Sequence, residues 1–95
     1  MKFRRTRQFR DDFDRLVESN KKDVEEAFPY IALALQGNDE YRRKYRIKKM
    51  EGHPSIWEGH IKINLCFTFH LETDEDSEVI VFFRRVGTHQ IYRGP

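Results

Sequence analysis

Hydrophobic positions change period along this chain. From Phe9 through Phe13, Leu16 and Val17 they recur every three or four residues, the spacing of one stripe on a helix. This predicts a helix over residues 7–18 with Thr6 as its N-cap. Ser19 and Asn20 break the stripe, and Asn20 followed by Asp23 has the form of a capping arrangement for a second helix. Val24, Ala27, Phe28, Ile31 and Leu35 mark the buried face of that helix. Pro29 falls inside the pattern and removes a backbone donor, so the helix is expected either to kink there or to restart with proline in its first turn. Gly37, Asn38 and Asp39 end it.

Beyond residue 44 the period becomes two. Tyr45 and Ile47 alternate with Arg46 and Lys48, which predicts a half-buried strand over residues 44–50 with one basic face. After a turn at residues 52–55, Trp57, Gly59, Ile61 and Ile63 fall on one face of a strand and Glu58, His60 and Lys62 on the other. A turn near residues 62–64 separates it from Phe67, Phe69 and Leu71, which resume the apolar face opposite Cys66, Thr68 and His70. An acidic loop over residues 72–77 leads to the continuous β-favouring run Val79, Ile80, Val81, Phe82 and Phe83, expected to be a central strand, which Gly87 stops. Residues 1–5, with Phe3 between cations, read as a short first edge strand. The predicted fold class is α+β, one domain over residues 1–95. A short N-terminal strand and a helix hairpin pack on one face of a four- to five-stranded, mainly antiparallel sheet.

Composition narrows the setting. Charged residues make up 36% of the chain, but eight phenylalanines, four tyrosines and a tryptophan supply enough apolar surface to oppose disorder. No apolar run approaches the roughly 18 residues of a membrane span, and the basic N-terminus has no signal-peptide block, so the expected location is cytoplasmic, with no membrane partner. The single cysteine, Cys66, excludes an internal disulfide and a zinc site built of cysteines, and no metal or small-molecule cofactor is expected. Charge is segregated: residues 41–49 hold six cations and no acid, and residues 72–78 hold five acids and no cation. A fold that gathers the basic segments creates a patch suited to nucleic acid.

The chemistry-bearing groups concentrate at the end of the last strand. Arg84, Arg85, His89, Tyr92 and Arg93 lie within ten residues that contain no acidic side chain, so a phosphate meets little repulsion and finds groups able to move protons. His89 is the candidate for proton transfer, because imidazole titrates nearest neutrality. Arg84 or Arg85, whichever points outward by strand alternation, is the candidate for holding phosphate. Tyr92 can stack on a base or orient the reacting group. Trp57 is expected to anchor helix packing, and Glu58 to pair with a neighbouring arginine.

The order of strand, helix hairpin and meander, together with Ile56-Trp57-Glu58 and the ending Arg85-Val86-Gly87-Thr88-His89-Gln90-Ile91-Tyr92-Arg93, resembles the RelE/ParE superfamily of bacterial and archaeal toxins. The resemblance implies the toxin of a type II toxin-antitoxin system, neutralised by a cognate antitoxin. Most often such a toxin is a metal-independent endoribonuclease acting on messenger RNA at the ribosome. In that chemistry a ribose 2′-hydroxyl attacks the adjacent phosphate, which requires a base, an acid and nearby cations. His89, Arg84, Arg85 and Tyr92 are the catalytic candidates. Arg46, Lys48, His60, Lys62 and Arg93 are the RNA-binding ones. The chain departs from the family where His60 and Cys66 stand at positions that often carry a basic residue. That departure leaves two alternatives: a non-catalytic gyrase inhibitor of the ParE kind, or an inactive member that binds only antitoxin or RNA.

Overall fold

The apolar run at the end of the chain sits inside a sheet, as its composition requires. The computed structural model describes residues 1–95. Strand β5 (Val79–Gly87) is flanked by β1 (Lys2–Arg5), which runs parallel to it, and by β4 (Leu65–Thr73), which is antiparallel. β3 (Trp57–Lys62) and a two-residue β2 (Lys48–Lys49) continue the antiparallel side, giving the order β1-β5-β4-β3-β2. Helices α1 (Arg7–Arg15) and α2 (Glu18–Leu35) precede β2 in the chain, with a short α3 (Asp39–Lys44) between, and a 3-10 turn (His89–Arg93) follows β5. No helix is long and apolar enough to cross a membrane.

Thr6 welds the start of the fold together. Its hydroxyl oxygen accepts from the Phe9 N–H (3.1 Å), capping α1, while its O–H donates to the Arg84 carbonyl (3.0 Å). Its N–H donates to the Phe83 carbonyl, so β1, α1 and β5 meet at one residue. α1 ends at Arg15, earlier than the hydrophobic stripe predicts, because Leu16 and Val17 are extended and Glu18 already begins α2. Pro29 neither breaks nor restarts α2, which runs continuously from Glu18 to Leu35 with the proline on its exposed side.

The strand expected over residues 44–50 is mostly absent: Lys44 closes a short helix, and Tyr45 and Arg46 form a turn. Asn38 Oδ1 accepts from the Tyr41 N–H (3.1 Å) and caps α3, whose first turn carries Asp39 and Glu40 and whose last turn carries Arg42, Arg43 and Lys44. Those charges complement the helix dipole at both ends. Arg46 then adopts a left-handed conformation (φ 49°), which cancels the alternation, and only Lys48 and Lys49 pair with Glu58 and Trp57.

The core lies between the helices and one sheet face. Phe9, Val24, Ala27, Ile31 and Ala34 pack against Phe67, Phe69, Val81, Phe83 and Val86, all buried. Phe83 is its centre: its ring lies 5.0–6.3 Å from those of Phe3, Phe9, Phe28, Phe67 and Phe69. The acidic loop does more than stay solvated, since Asp74 Oδ1 accepts from the Asp76 and Glu78 N–H groups and Oδ2 accepts from Lys2 Nζ (3.2 Å). It thereby ties β1 to the β4–β5 hairpin.

Gly59 stands opposite Phe67 in the β3–β4 register, and a Cβ there would overlap the Phe67 ring. Gly59→Ala is therefore expected to destabilise the fold by about 2–3 kcal/mol, the upper part of the overpacking range. Urea unfolding checks this, and adding Phe67→Leu to the Gly59→Ala chain should recover part of the loss, because the two side chains compete for one space.

Candidate active site

The sheet face away from the helices carries Glu58 and His60 of β3 and Cys66 and Thr68 of β4, as the alternation predicts. His60 is the direct register partner of Cys66, which in turn pairs with Gly87. The chain turns immediately after Gly87, so the 3-10 turn brings His89 and Tyr92 back over this corner. Its cap is Thr88, whose hydroxyl accepts from the Gln90 N–H. The His89 ring centroid lies 5.7 Å from that of His60 and 5.5 Å from that of Tyr92. The Tyr92 hydroxyl lies 3.3 Å from His60 Nε2, whereas His60 Nδ1 is buried without any partner.

A cavity of about 680 Å³ opens beside these rings. His60, His89 and Tyr92 form one wall, and Arg42, Arg43, Arg46 and Lys48 form the other, with Asp39, Ile47 and Glu58. The Tyr45 carbonyl accepts from the His60 N–H (2.7 Å), which fixes the segment carrying Arg46 and Lys48 alongside β3. Sequence reasoning missed Arg42 and Arg43, because it placed no element between the stop at residues 37–39 and the strand expected from residue 44. The usable signal was Asn38 followed by two acids and then three cations, a helix-capping and dipole pattern.

Burial tunes three groups here. His60 is lowered from its ordinary value of 6.5, first by desolvation and then by His89, Arg46 and Lys48, with Glu58 acting in the opposite sense. It is therefore neutral at neutral pH. Burial raises the Cys66 thiol, partly offset by a hydrogen bond with Tyr92. Tyr92 is raised strongly, again mainly by burial, so its phenol stays protonated and acts as a donor. Glu58 is buried on this face and pairs with Lys48 (4.0 Å) rather than with an arginine.

Not every expected residue reaches this cavity. Arg84 and Arg85 do not, and the reason is a bulge. Thr68 pairs with Arg85 and Phe69 with Phe83, leaving Arg84 as an extra residue and cancelling the alternation that would send one arginine outward. Arg84 Nε donates to the Pro95 carbonyl (3.0 Å) and Nη1 to His70 Nδ1 (2.9 Å). Arg85 is held by the buried Asp12 of α1 (Nε to Oδ2, 2.7 Å) and donates to the Gly94 carbonyl (2.9 Å). A second irregularity at Ile61 turns Lys62 toward α2, where Nζ donates to Asp23 (2.6 Å); it borders a smaller cavity on the other side of His60 and His89. Arg93 is exposed and lies with Arg84 and Arg85 in a separate depression. Of the nine candidates, Arg46, Lys48, His60, His89 and Tyr92 gather in the main cavity.

Trp57 stacks on Phe69 at 6.0 Å between centroids, with Arg42 and Lys49 over its ring, so it anchors the base of the basic wall.

The fold is that of the RelE/ParE toxins. The YoeB/ParE toxin from Agrobacterium tumefaciens superposes with a TM-score of 0.67 at 17% identity, over 94% of this chain and 99% of that one. YafQ from E. coli superposes with a TM-score of 0.68 at 16% identity, covering 97% of each chain. RelE, solved in the RelB–RelE antitoxin–toxin complex from Methanococcus jannaschii, gives 0.61 at 18% identity over 96% of this chain and 95% of that one. No protein-family model and no curated protein matches the sequence.

Two outcomes follow from this geometry. Asp12→Ala leaves the Arg85 guanidinium without its carboxylate and the Val86 N–H without an acceptor it now uses (3.2 Å). It is expected to lower stability by about 3 kcal/mol, the range for breaking a buried ion pair, measured by urea unfolding. His60 gives a pH signature. Because its folded value lies below 6.5, the unfolded chain binds more protons in the window beneath 6.5, so stability is full above that pH and falls as the solution is acidified through the window. Unfolding free energies compared between pH about 7.5 and about 5.5 should fall less in His60→Gln than in the unaltered protein.

Proposed function

We infer that the protein is the toxin of a toxin-antitoxin pair and that it cleaves RNA at the cavity between His89 and the basic wall. The observation that carries this reading is the convergence of two imidazoles and a protonated phenol on a cavity lined by Arg42, Arg43, Arg46 and Lys48. Cleavage by 2′-hydroxyl attack requires proton transfer at two oxygens and positive charge around a crowded phosphate. His89, exposed at the mouth, exchanges protons with the ribose hydroxyl or the leaving oxygen. Tyr92, held protonated, donates a hydrogen bond to a phosphate oxygen. The four cations bind the RNA backbone, a role the sequence alone assigns to Arg46 and Lys48 together with His60, Lys62 and Arg93.

The resemblance to RelE toxins supports messenger RNA on the ribosome as the substrate and the cytoplasm as the place of action. The RelB–RelE and DinJ–YafQ complexes support an antitoxin as the protein partner. A second reading has its own support: Arg84 and Arg85 are engaged by Pro95, His70, Asp12 and Gly94, and Cys66 stands where the family often carries a cation. Less charge at the phosphate favours a protein that binds without cutting, including the gyrase-inhibiting kind.

Inducing the gene and mapping messenger RNA ends distinguishes the readings. His89→Ala is expected to lower cleavage by about 10²–10⁴-fold, the usual contribution of one proton-transfer group. Arg46→Ala with Lys48→Ala should weaken RNA binding with a reduced salt dependence. Equal cleavage by His89→Ala and the unaltered chain would remove the proposed site, and inhibition of gyrase supercoiling with no RNA cut would favour the binding-only reading.

A further inference from the structure

We propose that His60, Cys66 and His89 form a binding site for one Zn²⁺ ion. Their ligand atoms, one from each residue, all lie within 4.8 Å of one another. In a tetrahedral zinc site with bonds of 2.0–2.3 Å, ligand atoms are about 3.3–3.8 Å apart, so closing around an ion asks for a movement of about 1 Å. Two of the three groups are held by the sheet, since His60 and Cys66 are direct cross-strand partners. The third, His89, is exposed on a 3-10 turn outside the sheet, where a shift of that size disturbs no ladder.

The orphaned His60 Nδ1 is a second and independent sign. A buried imidazole nitrogen with no partner is unusual, and it sits in the residue whose other nitrogen is already beside Tyr92. The Nδ1 lone pair is available to an ion when the single ring proton stands on Nε2, where the Tyr92 oxygen accepts it. The Cys66 thiol gives its proton to solvent as the thiolate–zinc bond forms. Buried Glu58 on the same face offsets the added positive charge, against Arg46 and Lys48, which oppose it. One thiolate with two imidazoles suits Zn²⁺ better than the hard ions Mg²⁺ and Ca²⁺, which prefer oxygen. A lone cysteine excludes a site made of cysteines but not a mixed one.

The consequence rests on the proposed function. An imidazole bonded to zinc cannot shuttle protons, so the ion and an RNA phosphate would compete for His89, and the zinc-loaded chain would be an inactive form.

Cobalt(II) serves as the spectroscopic stand-in for zinc. Metal-stripped, reduced protein titrated with Co²⁺ under anaerobic conditions should show one equivalent bound. The expected spectrum has thiolate-to-cobalt charge transfer and the intense visible bands of tetrahedral coordination, both abolished by one equivalent of Zn²⁺. Cys66→Ser should lose the charge-transfer band. His89→Ala, at an exposed position that leaves the core untouched, should weaken Co²⁺ binding by at least about tenfold, a loss that removal of an outer-shell partner alone can cause. No charge-transfer band in the unaltered protein would overturn the proposal, as would a band that survives Cys66→Ser. If Cys66→Ser does not fold, His89→Ala decides, and unchanged Co²⁺ affinity there overturns it. No RNA enters this experiment, so a failure to bind metal leaves the cleavage reading standing, and a failure to cleave leaves the metal site standing.

Discussion

A single buried carboxylate organises this small fold. Asp12, 8% exposed on α1, accepts from Arg85 Nε and Nη2 and from the Val86 N–H. These contacts clamp the first helix to the far end of β5, where the sheet bulges. The guanidinium passes the constraint on, since Arg85 Nη1 donates to the Gly94 carbonyl. With Arg85 and Gly94 both fixed, the segment between them is a closed loop, and His89 and Tyr92 ride on it. A buried ion pair contributes little net stability over an apolar pair of similar shape, but it tolerates only one geometry. Here that geometry sets where the catalytic candidates stand.

Committing two arginines to structure has a consequence for the cavity. Arg84 and Arg85 lie on the strand nearest His89, yet their guanidinium groups satisfy Pro95, His70, Asp12 and Gly94. Positive charge for the cavity comes instead from α3 and the segment after it. The last turn of α3 favours cations because the helix dipole leaves negative charge there, so Arg42 and Arg43 are compatible with the helix while they face the cavity. Arg46 and Lys48 follow on a backbone held to β3 by the Tyr45 carbonyl.

Much of the frame was legible in the sequence, since it rests on periodicity. The two helical stripes, the alternation from Trp57 to Lys62 and the central strand from Val79 all have a side-chain pattern that burial dictates, and each occurs near its expected place. What escaped was decided by single residues. A bulge has no side-chain signature, so nothing in Phe83-Arg84-Arg85-Val86 announced that both arginines would stand opposite Thr68. The left-handed Arg46 likewise cancels an alternation that looks complete on paper. α3 is encoded locally, because Asn38 with Asp39 and Glu40 ahead of three cations is a capped helix in miniature, but the stop signal at Gly37 directly before it masks the start. The meeting of His60, Cys66 and His89 depends on strand register and on a turn beyond Gly87, which no local pattern encodes.

The electrostatics of the cavity link its two walls. After burial, His60 is pushed toward its neutral form by His89, Arg46 and Lys48 and pulled toward its charged form by Glu58. A phosphate placed among the cations offsets the influence of Arg46 and Lys48 but leaves that of Glu58. The entering anion therefore moves His60 toward protonation, and by linkage a proton on His60 strengthens the hold on the anion. The wall that would bind the phosphate thus changes the acid–base state of the wall that would act on it. Tyr92, whose phenol stays protonated and lies 3.3 Å from His60 Nε2, is placed to give its hydrogen bond to the imidazole before the anion arrives and to the anion afterwards.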